Sequence, residues 1–316
     1  FGHVGERFLN LLMNGCCKND IRIFNNELPD YEKGFKHNWQ SLRVAASLEK
    51  HRKEFSDNGL NLTNFTLWGI LNHTNREYKI CPYYNSNSNK CGYMKRNEDC
   101  EYKGKHSLGY YEQYRSIIDN KNAWSFEAFI VKIADEIAQR HHDIEDGIEA
   151  KIIKKNHIIE KIEKWFKNFF EDDDRLLIEN IKGEDDKDYF MPLFNHLIVS
   201  LLIRQIIDNS RENLTRIKEK ENIRTAEDFY EFRKTLNNDI CEEFKNTISY
   251  SAEFEKHERE LQDYLYGMII NSYLAQKMDG KSNFLLRQLA KAYITNPQQL
   301  PDKTIHTLFK NILERC

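Results

Sequence analysis

The first residues of the chain with side chains suited to catalysis are His3 and Glu6. They are three positions apart, so on a helix their side chains share one face. A carboxylate beside an imidazole orients the ring and raises its proton affinity, which suits a general acid or base. His-x-x-Glu pairs also occur widely without any such role. The pair therefore predicts acid–base chemistry only in combination with its surroundings.

A second set of polar residues lies near the middle of the chain. Asp135, Gln139 and Asp143 follow one another at intervals of four, so on a helix they form a single polar stripe. Such a stripe is usually a solvated face. However, this segment starts among apolar residues such as Trp124 and Phe126, where a bare carboxylate is costly unless it is paired or bound to a metal. The stripe predicts either a solvated face or a carboxylate site.

Three thiols and one imidazole could together bind zinc. They belong to Cys81, Cys91, Cys100 and His106. Their spacing is irregular and includes no Cys-x-x-Cys pair, so free thiols in a loop are the default prediction. The chain has 7 cysteines in all, an odd number that does not suit a disulfide framework. This cysteine content favours a reducing, cytoplasmic setting.

The elements that must position these residues are predicted to be helices. The chain has only 5 Pro and 13 Gly in 316 residues, and apolar residues recur with a period near 3.6. With 40% hydrophobic and 31% charged residues, the composition is that of a soluble globular protein, and a net charge of -3 gives no argument for nucleic-acid attraction. The predicted early elements are helices over residues 2–13, about 37–50 and 62–71, with Thr63 or Asn64 as N-cap of the third, and a loop insertion over 75–106.

Helical periodicity is strong over residues 125–170 and continues to the end of the chain. The acidic run 171–174 is predicted to cap the next helix. A buried helix around residues 190–207 and a separate solvated helix over 211–224 are predicted to follow. The most apolar stretch, 193–207, is too short to cross a bilayer, so no membrane span is predicted. The last third is predicted to be a helix, a turn and a helix that ends at Pro297.

Several segments resemble those of one enzyme family in the same order. Residues 1–10, FGHVGERFLN, resemble the PFGHxGExxLN segment of the HD-domain deoxynucleoside triphosphate triphosphohydrolases, the dGTPase family. Residues 133–146, IADEIAQRHHDIED, are similar to the family's EAADDIAYxxxDxED helix, and 34–43, GFKHNWQSLR, to its FExNxQxxR segment. Further similar segments lie at 58–73 and 271–302. The resemblance therefore extends over nearly the whole chain.

This resemblance implies an all-α fold, an HD-domain (HD/PDEase-like) helical bundle with a helical C-terminal extension. Residues 1–175 are expected to form the catalytic core and residues 176–316 the C-terminal region. In the family a metal-binding His-Asp motif precedes the first of these segments, and a further helix follows the last. The chain is accordingly expected to be a fragment that lacks the HD motif and the C-terminal end, and to be inactive alone.

The resemblance also implies roles for individual residues. His3, supported by Glu6, would be the general acid or base, and Asp135 would be the last protein ligand of a divalent metal. The implied substrate-binding residues are Asn38, Gln40, Arg43, Lys105, Gln139 and Asp143, of which Asp143 would bond to the sugar 3'-hydroxyl. The chain departs from the family at Gln139, where a tyrosine is usual, and at Asn72-His73, which replaces a Lys-Tyr pair.

The implied activity is the hydrolysis of dGTP or other dNTPs to a deoxynucleoside and tripolyphosphate, with Mn, Mg, Co or Fe as the metal. The implied assembly is a homo-oligomer, often a hexamer in the family. Two alternatives stay open. One is a non-catalytic HD-fold regulator or nucleic-acid-binding subunit that takes single-stranded DNA, which the departures at Asn72, His73 and Gln139 favour. The other is an HD phosphohydrolase that acts on another phosphate ester.

Overall fold

The computed structural model describes residues 2–16, 29–49, 59–75, 77–78, 80–81, 83–92, 98–100, 103–119, 124–235, 244 and 246–306. These residues are mostly helical, which confirms the all-α prediction. The α-helices are α1 Gly2–Met13, α2 His37–Arg43, α3 Asn64–Asn72, α4 Arg115–Asp119, α5 Phe126–Glu149, α6 Lys155–Phe166, α7 Asp172–Gly183, α8 Lys187–Lys220, α9 Ala226–Thr235, α10 Ala252–Leu265 and α11 Tyr273–Thr295. Short 3-10 helices lie at Asp30–Glu32, Gly109–Tyr114, Lys167–Phe169 and Pro297–Gln299, and π-helical turns at Val44–Leu48 and Tyr266–Ile270.

Several helices start where their sequences place a capping residue. Thr63 caps α3 by accepting a hydrogen bond from the backbone N–H of Thr66, and Ser125 caps α5 in the same way. At α7 a reciprocal capping box forms, in which the Glu171 and Asp174 side chains each accept from the other's backbone N–H. The predicted N-cap at Thr63 and the predicted capping by the acidic run are confirmed.

The insertion at residues 75–106 contains a small sheet, so the prediction of a loop was wrong for part of it. Strands β1 Tyr84–Asn85, β2 Lys90–Cys91 and β3 Glu98–Asp99 pair antiparallel in the order β1-β2-β3. The Asn-rich sequence forms the β1–β2 turn, in which the Asn85 Oδ1 accepts from the backbone N–H groups of Asn87 and Ser88. Asparagine side chains satisfy turn backbones in this way, so this polar sequence favours a hairpin.

Helix α8 is one helix of 34 residues, where two separate helices were predicted. No glycine or proline interrupts it between its buried and its solvated halves, and its only proline, Pro192, lies close to its start. By length and hydropathy it is the one described helix able to cross a membrane, but 44% of its most apolar window is buried inside the protein. A core helix also passes this test, so the evidence for a membrane span is weak.

Helix α11 is likewise continuous, where a helix, a turn and a helix were predicted. It runs through Gly280 and ends before the 3-10 turn at Pro297–Gln299. A glycine inside a helix costs about 1 kcal/mol relative to alanine, which neighbouring helical residues offset easily.

The described contacts divide the chain into two compact units. Unit 1 comprises residues 1–44, 75–115 and 277–316, and unit 2 comprises 45–74 and 116–276. In unit 1, Phe8, Leu11 and Leu12 of α1 pack against Leu286, Ala290 and Ile294 of α11. In unit 2, helices α5 to α8 and α10 share a large apolar core. These limits differ from the predicted division at residue 175, which stays a prediction.

Two glycines in unit 1 allow backbones to approach closely. Gly34 has a φ of +100°, and a Cβ there would lie 2.1 Å from the Ser107 carbonyl oxygen. A Cβ at Gly109 would lie 1.9 Å from the Asp30 carbonyl oxygen. The backbone N–H of Tyr110, next to Gly109, donates to the carbonyl of Lys33, next to Gly34, at 3.0 Å. The segment that leads into α2 is therefore held directly against residues 107–110.

Candidate functional site

The predicted acid–base pair lies on α1, but its carboxylate has different partners from those expected. Glu6 is buried, and its Oε1 accepts from the Tyr78 hydroxyl at 2.7 Å and from the Lys36 ammonium at 3.2 Å. Its Oε2 accepts from Nδ1 of His37. His3 is exposed and is not among the described hydrogen-bond partners of Glu6. Glu6 therefore orients His37.

These partners decide the charge of Glu6. Burial alone would raise its pKa, but the hydrogen bonds from His37 and Tyr78 and the Lys36 charge outweigh burial and lower the pKa from 4.5 to about 2. Burial and the contact with Glu6 in turn raise the pKa of Tyr78. At neutral pH, Glu6 is therefore a carboxylate and Tyr78 a neutral hydroxyl that donates to it.

The two imidazoles of this site lie side by side. The ring centroids of His3 and His37 are 6.4 Å apart, and the rings are nearly perpendicular at 84°. The His37 side chain is 38% exposed. The sequence does not predict that His37 and Tyr78 contact Glu6. They lie 31 and 72 positions away from it, and helical spacing relates only residues three or four positions apart. The only available signal was that His37 directly precedes the predicted site residue Asn38.

The predicted substrate-binding residues of α2 lie close to aromatic rings of the same unit. Asn38 is fully buried. The Gln40 Oε1 accepts from the Tyr111 hydroxyl at 3.2 Å, and the Arg43 guanidinium lies 5.2 Å from the centre of the Tyr110 ring. Tyr111 thus fixes the orientation of the Gln40 amide, which leaves the amide nitrogen as its donor end.

Lys105 is exposed in unit 1 and precedes a half-buried histidine. His106 Nδ1 accepts from the Asn10 side-chain amide at 2.8 Å, and burial lowers the pKa of His106. The cysteines that the structure describes, Cys16, Cys81, Cys91 and Cys100, form no disulfide bond. No three described His, Cys, Asp or Glu side chains are placed to hold a metal, so the zinc alternative gains no support.

The other three predicted site residues lie on α5, in unit 2. Asp135 and Gln139 are exposed. Asp143 is half-buried, and burial raises its pKa although the nearby Arg140 charge opposes the shift. Arg140 is itself buried and pairs with Glu258 of α10 at 2.6 Å. The structure thus brings His3, Glu6 and the α2 residues into one unit and the α5 residues into the other.

The chain is similar along most of its length to bacterial proteins named deoxyguanosinetriphosphate triphosphohydrolase-like protein. It is 25% identical over 306 residues to the one from Geobacter metallireducens, which covers 96% of this chain and 60% of the relative. Identity to the Leptospira interrogans protein is 24% over 306 residues, with 96% and 61% covered. Identity to the Pelagibacter ubique protein is 30% over 272 residues, with 86% and 57% covered.

No protein-family model matches the chain. The chain spans about 60% of the length of the curated relatives that it matches. The alignment with the Geobacter metallireducens protein covers 96% of the chain and therefore includes α5 in its middle.

Proposed function

The curated relatives support a dGTPase-like family for this chain, and from that premise we propose that the protein hydrolyses dGTP or related dNTPs. The products would be a deoxynucleoside and intact tripolyphosphate. The observation that carries the proposal is the Glu6 site: an ionised, buried carboxylate that fixes an imidazole, within the segment that resembles the family's signature.

The proposed reaction needs a proton donor at the leaving group. Water attacks the α-phosphorus, the bond from phosphorus to the 5'-oxygen breaks, and the electron pair stays on that oxygen. The 5'-oxygen must gain a proton to leave as a hydroxyl, and the attacking water must lose one. An imidazole held by a carboxylate performs both transfers near neutral pH. His3 and His37 are the two imidazoles at this site.

The α2 residues would bind the substrate. A guanidinium neutralises phosphate charge and donates two parallel hydrogen bonds, so Arg43 suits the triphosphate. The Gln40 amide nitrogen, oriented by Tyr111, would donate to the nucleotide. Lys105, in the same unit, would bind phosphate. The roles that the resemblance implies for Gln139 and Asp143 fall in unit 2 and stay predictions.

A divalent metal belongs to the proposal as an expectation. The described residues do not make up a metal site, because no three metal-binding side chains come together among them. Asp135 is the one described residue that is predicted to bind the metal, and an exposed carboxylate alone binds metal weakly. No step of the reaction is therefore assigned to the metal.

Phosphorus NMR of dGTP incubated with Mn²⁺ tests the activity directly. The sample should be the natural polypeptide that carries these residues. Tripolyphosphate with deoxyguanosine is the expected result. Orthophosphate or pyrophosphate would instead indicate a phosphohydrolase of another ester, and an unchanged spectrum would contradict hydrolysis.

A non-catalytic regulator that binds single-stranded DNA is a second candidate, and one observation favours it. Asn72 donates to the Trp68 carbonyl, and His73 Nδ1 donates to the Ile70 carbonyl at 2.6 Å. Both side chains thus satisfy their own helix at the position where the resemblance predicts a phosphate-binding Lys-Tyr pair. Binding to a DNA oligonucleotide that weakens steeply with salt, without turnover of dNTPs, would support this alternative.

A further inference from the structure

A buried ion pair joins α5 to α10 in unit 2. The Arg140 guanidinium donates from Nε to the Glu258 carboxylate at 2.6 Å, and the two residues are only 4% and 8% exposed. An arginine side chain keeps its charge inside a protein, so burial cannot neutralise it. Among the described residues, Glu258 is the one carboxylate within ion-pair distance of Arg140. Glu258 is therefore the counter-ion that allows a positive charge to be buried at this position of α5.

Arg140 also acts on a carboxylate of its own helix. Asp143 follows it by three positions on α5, so the two side chains lie on one face. Burial raises the pKa of Asp143, and the Arg140 charge is the largest influence that lowers it. The other described groups that act on Asp143 are Asp146, which raises its pKa, and His142, which lowers it. Glu258 is not among these groups, so it balances the charge of Arg140 without cancelling the effect of that charge on Asp143.

Two further titratable groups lie around Arg140. Burial raises the pKa values of Glu136 and Tyr250, and the Arg140 charge opposes both shifts. Tyr250 is therefore a neutral hydroxyl near pH 7, and Glu258 supplies the ion pair. The place of the guanidinium is thus fixed from α10, while its charge acts on the polar residues of α5.

We propose that Arg140, held by Glu258, is a positioning residue that keeps the Asp143 carboxylate charged and able to accept a hydrogen bond from the sugar 3'-hydroxyl. This inference rests on the proposed hydrolysis of dNTPs and on the predicted contact between Asp143 and that hydroxyl. A charged acceptor forms a stronger hydrogen bond with a hydroxyl than a neutral carboxyl group does. Helix α10 thereby tunes how strongly α5 binds the sugar.

A comparison of dGTP with 2',3'-dideoxy-GTP isolates this contact, because the second nucleotide differs only in lacking the 3'-hydroxyl. Tripolyphosphate release by the natural polypeptide gives kcat/KM for each nucleotide over a range of pH. We expect dGTP to be favoured about 10- to 100-fold, which is the effect of one hydrogen bond to a charged group. This preference should decline as the pH falls and Asp143 gains a proton. Other effects of pH act on both nucleotides and cancel in the ratio.

The informative variant removes both charges of the ion pair. Arg140→Met alone leaves the Glu258 carboxylate buried without a counter-ion, which is strongly destabilising, whereas neutral replacement of both partners is tolerated. Arg140→Met combined with Glu258→Gln should therefore fold. Without the Arg140 charge the pKa of Asp143 rises further, so the preference for dGTP should decline at a higher pH than in the unmodified protein.

Three further variants complete the experiment. Asp143→Asn should show a weak preference that does not change with pH, because an amide does not titrate. Arg140→Lys keeps a positive charge and should keep most of the profile. Lys182→Met combined with Glu163→Gln is the matched control. It removes a 2.7 Å ion pair between α6 and α7 of the same unit, and the ratio should not change. Circular dichroism and melting temperature confirm folding in each case.

The possible failures can be told apart. If the unmodified protein releases no tripolyphosphate, the proposed function fails and this inference fails with it. If it hydrolyses both nucleotides equally well, the hydrolysis stands but Asp143 does not bind the 3'-hydroxyl, and the inference is wrong. If the variant without the ion pair loses rate equally for both nucleotides and keeps the profile of the ratio, the pair is only structural. A shift of that profile to higher pH in this variant, absent from the control, supports the inference.

Discussion

At the scale of single residues, Glu6 is the group on which most local electrostatics depend. It is buried with Lys36, His37 and Tyr78 as donors, and its pKa is lowered to about 2. A carboxylate with a lowered pKa contributes stability that is fully present above its unfolded value and is lost as the pH falls through its folded value. Acid should therefore weaken the structure around α1.

Glu6→Gln tests this directly. Replacing the carboxylate leaves Lys36 buried without its counter-ion, so we expect a loss of about 3 kcal/mol in the free energy of unfolding at pH 7. The difference from the unmodified protein should shrink as the pH falls from 4.5 toward 2. Urea denaturation at several pH values measures it. Glu127→Gln, at an exposed position of α5, is the control and should show no such trend.

A second residue-scale prediction concerns Tyr111. Its hydroxyl fixes the Gln40 amide, and Tyr111→Phe removes that hydrogen bond while keeping the buried ring. If Gln40 binds the nucleotide, KM for dGTP should rise about threefold to tenfold, since one neutral hydrogen bond is worth about 1 kcal/mol. Steady-state kinetics measure the change. An unaltered KM would contradict the role of Gln40, and Tyr31→Phe, at an exposed position, should have no effect.

The sequence placed His3 and Glu6 correctly on one helix, because α1 has a regular period that local spacing reveals. It could not reveal that Glu6 bonds to His37, since that contact depends on how two distant segments pack. The polar character of Asn38 and Gln40 was visible, whereas the burial of Asn38 and the bond from Tyr111 were not.

At the scale of elements, the start of α7 shows how a local sequence signal also serves tertiary packing. Asp174 accepts from the Glu171 backbone N–H at 2.8 Å and pairs with Arg204 of α8, and it is only 2% exposed. The same carboxylate therefore caps one helix and joins it to another. Arg204 also lies 3.2 Å from the Glu171 carboxylate.

Asp174→Ala should be strongly destabilising for this reason. It removes the cap and leaves the partly buried Arg204 with a weaker partner, so we expect a loss of about 3 kcal/mol. Asp173→Ala, one position earlier and exposed, removes the same charge from the same turn and should cost less than about 1 kcal/mol. Thermal and urea unfolding of both variants give the comparison, and equal losses would contradict the paired role.

Helix starts were predictable because caps are local, as at Thr63 and in the acidic run at residues 171–174. Helix continuity was harder to predict. Two helices are predicted around residues 190–207 and 211–224, yet the Asn209 amide donates to the Ser249 carbonyl at 2.8 Å and α8 continues without a break. Gly280 in α11 is a similar case, because the helix continues through this residue in spite of its weak helix propensity.

At the scale of the whole molecule, the two units should respond to acid in opposite directions. In unit 1 the lowered pKa of Glu6 makes acid destabilising. In unit 2 burial raises the pKa values of Glu136 and Asp143, so their charged forms disfavour the folded state. Protonating a carboxylate with a raised pKa relieves that cost, so unit 2 should gain stability as the pH falls from 7 toward 4.

Hydrogen exchange followed by mass spectrometry resolves the units separately. After correction for the intrinsic rate, peptides from α5 should become better protected as the pH falls from 7 toward 4, and those from α1 should not. Glu136→Gln should abolish much of the gain in α5. Parallel behaviour of both units would contradict the prediction.

The division into units could not be predicted from the sequence, because unit 1 combines three segments separated by long stretches of chain. No composition change marks its limits. The similarity to the relatives relates positions along the chain and not contacts between them, so it could not show this division either.

The close backbone approach at Gly34 and Gly109 has a consequence for how freely this protein can change. A single added methyl group at either position would overlap a carbonyl oxygen, at 2.1 Å and 1.9 Å respectively. Two residues after Gly34 the chain reaches Lys36 and then His37. In a saturation-mutagenesis library almost no substitution should therefore be tolerated at either glycine, although neither residue carries a functional group. The accuracy with which the imidazole meets its carboxylate depends on two positions that have no side chain at all.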